Sequence, residues 1–351
     1  MAKTTHYLCP ACGGTLEFDS KTQKMKCPFC DTEVDIADLE DKHSSTKDAT
    51  SYTEEDSQDN LAYYICESCG GQIAVPKETG ATSCPFCGNS QVLPAQFEGD
   101  LKPDAIIPFK LDKKDCKAQY LKHLEGKHFL PKIFRSTNHI DELKGVYVPF
   151  WLYNSKLYAD LAFDCERIEE KEDSRYKYIT HYYYDVYRKG TLKFKDVPAD
   201  AASAIADDLM DSIEPYDLAE SSDYNDAYLS GFYASRYDIT DKEAFPRVET
   251  RMQNSIVDEM ENSIKGFDNI TLRGSAFDFK KVEARHVLFP VYLLNTTWQN
   301  QRFTFAMNGQ TGKFVGNLPR DDRAYYRTLV LYSLGLSFVY FFLICVFYFS
   351  E

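Results

Sequence analysis

Eight of the eleven cysteines fall into two sets of one spacing: Cys9, Cys12, Cys27 and Cys30, then Cys66, Cys69, Cys84 and Cys87. Each set reads Cys-x2-Cys-x14-Cys-x2-Cys. Two residues between cysteines let one tight turn aim both sulfurs at one ion. The longer spacer suits a short hairpin that carries the second pair opposite the first. Four thiolates around Zn²⁺ close a tetrahedron and leave no position for water or substrate. The expected chemistry is therefore structural, with two ions and no catalytic metal. Gly13, Gly70 and Gly88 follow the second cysteine of three pairs and permit the left-handed turn required there. Asp31 follows the fourth pair and tolerates the same conformation. No N-terminal signal peptide is visible, so metal ligation is favoured over disulfides.

The elements that position these thiols come as a repeat. Tyr7-Leu8-Cys9-Pro10-Ala11-Cys12-Gly13-Gly14 returns as Tyr64-Ile65-Cys66-Glu67-Ser68-Cys69-Gly70-Gly71, and Cys27-Pro28-Phe29-Cys30 returns as Cys84-Pro85-Phe86-Cys87, always 57 residues on. One supersecondary unit thus occurs twice: zinc ribbon 1 over residues 1–37 and zinc ribbon 2 over 61–97. Residues 38–60 between them are acidic and hydroxyl-rich and read as a disordered linker.

Residues 98–319 read as a β-rich, antiparallel α+β domain, in keeping with 25 Tyr and 24 Phe. A helix is expected over 112–126. A strand is expected over 145–163, and a hairpin over 180–194 turning at Arg188-Lys189-Gly190. Val248, Met252, Ile256, Met260 and Ile264, four apart, mark one face of a second helix stopped by Gly266. Strands follow near 287–294 and 303–307, with Asn308-Gly309 as a turn before Lys313-Phe314-Val315. Within 320–351, residues 328–350 carry no charge and are long enough for one transmembrane helix. Arg320, Arg323 and Arg327 precede it and no Lys or Arg follows. A tail-anchored, single-pass topology with the N-terminal part in the cytosol is expected.

Other features read as decoys. Net charge is −14, and residues 1–97 hold seven Lys and no Arg against fifteen Asp and Glu. That field opposes phosphate, so nucleic acid is a poor partner for the ribbons and protein a better one. Gly309-Gln310-Thr311-Gly312-Lys313 fails the phosphate-loop pattern, with Met307 in place of the leading glycine and Phe314 after the lysine. His181 and His286 lack a nucleophile motif nearby and read as satisfied structural histidines. Cys116, Cys165 and Cys345 read as small packing residues. Glu169-Glu170-Lys171-Glu172-Asp173 reads as a solvated loop. No catalytic constellation is visible.

The chain resembles bacterial TFIIB-type zinc ribbon-containing membrane proteins, those encoded beside phage-shock-protein-A-like and flotillin-like (SPFH, virion-core-like) proteins. The matching stretches are both ribbons, Gly145-Val146-Tyr147-Val148-Pro149-Phe150-Trp151, Asp196-Val197-Pro198-Ala199-Asp200, Tyr228-Leu229-Ser230-Gly231-Phe232-Tyr233 and Phe305 to Gly316. The resemblance implies a non-enzymatic adaptor that docks cytosolic proteins at the inner face of the membrane, in envelope stress. The alternative is a nucleic-acid-binding or transcription-related ribbon protein tethered to the membrane.

Overall fold

The structure, a computed structural model, describes residues 7–39, 61–65, 72–76, 78–83, 90–93, 97, 101–136 and 142–349. Residues 40–60 of the expected linker lie outside the described residues, as do Cys66, Cys69, Cys84 and Cys87.

The fold is mixed α and β around one large, mostly antiparallel sheet. In chain order the strands are β1 (Glu17–Asp19), β2 (Lys24–Lys26), β3 (Glu33–Val34), β4 (Leu61–Ile65), β5 (Gln72–Pro76), β6 (Thr79–Ser83), β7 (Ser90–Val92) and β8 (Ala105–Ile106). They continue with β9 (Lys144–Glu172), β10 (Lys177–Asp200), β11 (Ser222–Asp223), β12 (Tyr233–Ser235), β13 (Asn269–Trp298), β14 (Gln301–Asn308) and β15 (Phe314–Gly316). The helices are α1 (Ile36–Leu39), α2 (Lys113–His123), α3 (Asp207–Ser212), α4 (Asp241–Asn262) and α5 (Asp322–Phe349). Strands β1 to β3 form a small sheet of their own and β4 pairs with β5. The other ten strands share one sheet, including β6 and β7, which join it through β12. That sheet runs across the boundary expected at residue 97.

Burial along β9 explains the aromatic run seen in the sequence. From Tyr147 to Tyr153 almost every side chain is buried, because helices and turns cover both faces of the sheet there. From Leu157 to Cys165 burial alternates, and Leu157, Ala159, Leu161 and Phe163 lie beneath α4. At 29 residues, β9 is about 95 Å long when extended. It is flanked by β10 and β13 along most of that length. Helix α4 buries Val248, Met252, Ile256 and Met260, the face expected from their spacing. It begins at Asp241, capped by Thr240 and Glu243 in a reciprocal box.

The expected hairpin at Arg188-Lys189-Gly190 does not exist. These residues pair with Leu161, Asp160 and Ala159 within an unbroken β10. Lys189 is held by Asp160 at 2.7 Å, and Gly190 leaves room for Met260, whose Cε would lie 3.2 Å from a Cβ there. The turn comes earlier. The Asp173 carboxylate accepts from the amides of Arg175 and Tyr176, so Glu169 to Glu172 is strand rather than loop. The segment after Asn308 is a hairpin turn, as expected: Asn308 Oδ1 accepts from the amides of Gln310 and Thr311, and β14 pairs with β15.

Within α5, the most apolar 18-residue window of Asp322–Cys345 has a mean hydropathy of 2.1 and none of that window is buried. The helix is long and apolar enough to cross a membrane.

Candidate metal centre

The first knuckle is a turn held by its own backbone. Cys9 N donates to Gly14 O and Gly13 N to Cys9 O, at 2.7 and 2.9 Å. The second knuckle repeats the device: Cys27 N donates to Thr32 O and Asp31 N to Cys27 O. Gly13 and Asp31 take φ of 74° and 58°, the left-handed turns expected after the second cysteine of each pair. Gly14 leaves space for the Phe29 ring, which a Cβ would approach to 2.6 Å.

These turns bring the Sγ atoms of Cys9, Cys12, Cys27 and Cys30 within 4.8 Å of one another. Two of the separations, Cys9–Cys30 and Cys12–Cys27, are 3.5 Å. Sulfurs about 2.3 Å from a tetrahedral ion stand about 3.8 Å apart, so the four donors fit one metal ion. The electrostatics agree. The Thr32 hydroxyl and amide pull the Cys30 thiol down to about 6. Cys12 is pushed up to about 12 by Cys30 and Cys27, although the Gly14 amide favours its thiolate. Neighbouring thiolates repel, and a cation lets all four ionise. Cys9 and Cys27 are buried, while Cys12 and Cys30 are exposed.

A hydrophobic cluster of Leu16, Phe18, Met25 and Leu39 backs the site and continues into Ala227, Tyr228 and Phe232 of the main sheet's flank. Leu39 is 3% exposed, so the folded unit extends past the boundary expected at residue 37. Ser230 clamps the ribbon: its Oγ donates to Leu16 O at 2.7 Å and its carbonyl accepts from Phe18 N at 3.0 Å. Phe18 meets Tyr228 edge-on at 5.1 Å, and Gln23 Nε2 donates to Phe109 O at 2.8 Å. The sequence marked 228–233 as a distinctive stretch without a role. Its role here is to seat the ribbon.

The second set of cysteines lies outside the described residues, but the residues bracketing it do not. Ile65 pairs with Gln72 and Ser83 with Ser90. Their counterparts 57 residues earlier, Leu8 with Thr15 and Lys26 with Glu33, pair the same way around the first knuckles. Both copies therefore share the same strand register at both knuckle positions.

Other sequence candidates are dispersed. Cys116 and Cys165 are buried packing residues, and burial pushes the Cys116 thiol up to about 12. Cys345 lies on α5. His181 is on the exposed face of β10 with Nδ1 2.6 Å from Glu166 Oε1. Hydrogen bonds from Asn269 and His181 hold Glu166 below its usual range. Beside it Arg273 bridges Asp164 and Asp185, so this open cleft of about 520 Å³ is knitted across three strands. His286 is 2% exposed between Trp151 and Tyr237, with ring centroids at 5.4 and 5.1 Å.

Contrary to a satisfied histidine, neither ring nitrogen of His286 meets a hydrogen-bond partner at normal geometry. Burial lowers it to about 4, outweighing Asp104 and the Lys102 carbonyl. The unfolded chain takes this proton near 6.5, so it binds more protons than the folded state between about 6.5 and about 4. Roughly 3 kcal/mol of stability is expected to drain away as pH falls through that window, with no further loss below it. Urea midpoints of His286→Phe should fall less steeply across the window. Slopes equal to those of the native chain would exclude His286 as their source.

A further set escaped the sequence reading. Asp200 is fully buried and takes Arg247 Nη1 at 2.8 Å. Arg247 also holds Asp207 and Asp211, and Arg251 holds Glu214. The network pins α4 to α3 and to the end of β10. Its one sequence trace was the Asp196–Asp200 stretch.

No protein-family model matches the chain, and no solved structure matches it. It is similar to a protein of Bacillus subtilis (strain 168), the uncharacterized protein YdjG, at 30% identity over 313 residues, 89% of either chain.

Proposed function

Starting from the chain's membership of the family of Bacillus subtilis YdjG, we propose that it is a non-enzymatic, single-pass membrane adaptor whose zinc ribbons dock cytosolic proteins. Zn²⁺ fills the Cys9, Cys12, Cys27 and Cys30 site and a second site of Cys66, Cys69, Cys84 and Cys87. Four sulfurs per ion leave no open position, so each metal folds its ribbon and performs no reaction. Residues 1–327 face the cytosol, where thiols stay reduced. The partners are cytosolic proteins of the phage-shock-protein-A-like or flotillin-like kind.

One observation carries this reading: the second knuckle presents Phe29 at 71% exposure while its ribbon is clamped rigidly to the body. An outward aromatic on a preorganised turn is the kind of anchor that protein interfaces use. Phe86 holds the equivalent place in the repeat. The test is affinity purification of the full chain from detergent-solubilised membranes, with Phe29→Ser and Phe86→Ser compared to the native sequence. A phage-shock-protein-A-like or flotillin-like protein recovered with the native chain, and at least about tenfold depleted with the double variant, is expected. Equal recovery with both would refute ribbon-mediated docking.

A further inference from the structure

The chain is acidic overall, yet residues 113–136 hold seven Lys and Arg against Asp115 and Glu125. This run comprises α2 and the 3₁₀ turn Lys132–Arg135 that follows it. Lys122, Lys127, Lys132 and Arg135 are exposed, and among the described residues none pairs with a carboxylate. Leu121 and Ile133 stand exposed between them. A helix C-terminus accounts for Lys122, but Lys127, Lys132 and Arg135 lie beyond it.

The position of the patch says what covers it. Asp321 N donates to Phe129 O at 2.7 Å, and the Phe129 ring meets Tyr325 edge-on at 5.2 Å. Arg320 lies over Tyr325 at 4.4 Å, and Leu130 and Leu318 pack on the same core. The basic loop is thus fastened to the first turn of α5. The charge-free run begins at Thr328, one turn past Tyr325. Aromatics at such a point mark the headgroup layer.

We infer that residues 121–135 form a docking surface for anionic lipid headgroups, pressing the body onto the bilayer beside its anchor. This rests on reading α5 as a membrane span. Each Lys or Arg near an anionic leaflet adds attraction that decays within a Debye length. Leu121 and Ile133 dip towards the acyl boundary between the cations. The result is a fixed tilt of the cytosolic body relative to the membrane, where a lone helix would leave it free to swing.

The test is amide hydrogen exchange on the full chain in lipid nanodiscs, either pure phosphatidylcholine or one-third phosphatidylglycerol. Amides of residues 121–135 should exchange at least about threefold more slowly in the anionic discs, and added salt should erase the difference. Combined Lys122→Glu, Lys127→Glu and Lys132→Glu should abolish it while β9 amides, which report folding, stay unchanged. A chain that enters both discs and shows equal exchange overturns the lipid surface but not the anchor. A chain that enters neither disc overturns both. Protection by duplex DNA in phosphatidylcholine discs, with none from phosphatidylglycerol, also overturns it.

Discussion

Full-length protein purified without chelator will carry two zinc ions per chain, and Cys9→Ser combined with Cys27→Ser will reduce this to one. The expected effect is large because a structural zinc contributes about 10–16 kcal/mol to folding its ribbon. Among the described residues of this ribbon, 7–39, nothing else is of that size. Its cluster centres on Leu16, Phe18, Met25 and Leu39, and its surface ion pairs, such as Lys24 with Asp35, are exposed and worth little. In the double variant the amides of β1 to β3 should lose exchange protection, while those of β9 keep theirs. Cys116→Ala serves as the control, since that thiol is buried and is not one of the four clustered sulfurs, and should leave the stoichiometry at two. Elemental analysis that finds no zinc in the native chain, or an undiminished ratio in the double variant, would remove the basis of the ribbon reading.

The second large effect is expected at Arg247. Replacing it with Met leaves the fully buried Asp200 carboxylate without its cation. Burial already pushes the Asp200 carboxyl up, and Arg247 opposes that push. Removing one member of such a pair costs about 3–5 kcal/mol, because a charge remains in a site that cannot solvate it. Asp207 and Asp211 lose the same partner, and α4 loses part of its hold on α3. Arg247→Met with Asp200→Leu should be less destabilised than Arg247→Met alone. That non-additivity is the signature of a pair, as opposed to two independent contacts. Urea midpoints of the detergent-solubilised chain would measure both. A single variant within about 1 kcal/mol of the native protein would show that water reaches Asp200.

The sequence made some of this legible because some signals are local. Two cysteines with two residues between them and a glycine behind leave the backbone few alternatives, so knuckle geometry could be read residue by residue. The face of α4 was equally plain, since Val248, Met252, Ile256 and Met260 recur at the helical period. Long-range pairing was not legible. Arg188-Lys189-Gly190 has the composition of a turn, and only the ladder with β9 and the closeness of Met260 explain why it stays extended. Ser230 clamps Leu16 across more than two hundred residues, and no local pattern announces that. The same holds for Asp200 and Arg247. His286 could be recognised as structural from its apolar neighbours, but its unpartnered ring nitrogens emerge only from the packing of Trp151 and Tyr237 around it.

Strand β9 passes without a break from the core beneath α2 and α3 to the core beneath α4. The two cores consequently have no joint between them. Force applied at the distant tip, with the other end held at α5, would load β9, β10 and β13 lengthwise. Their cross-strand hydrogen bonds would then have to fail together and not one at a time. Such a part behaves as a stiff mast, able to carry a pull along its length to α5 without stretching.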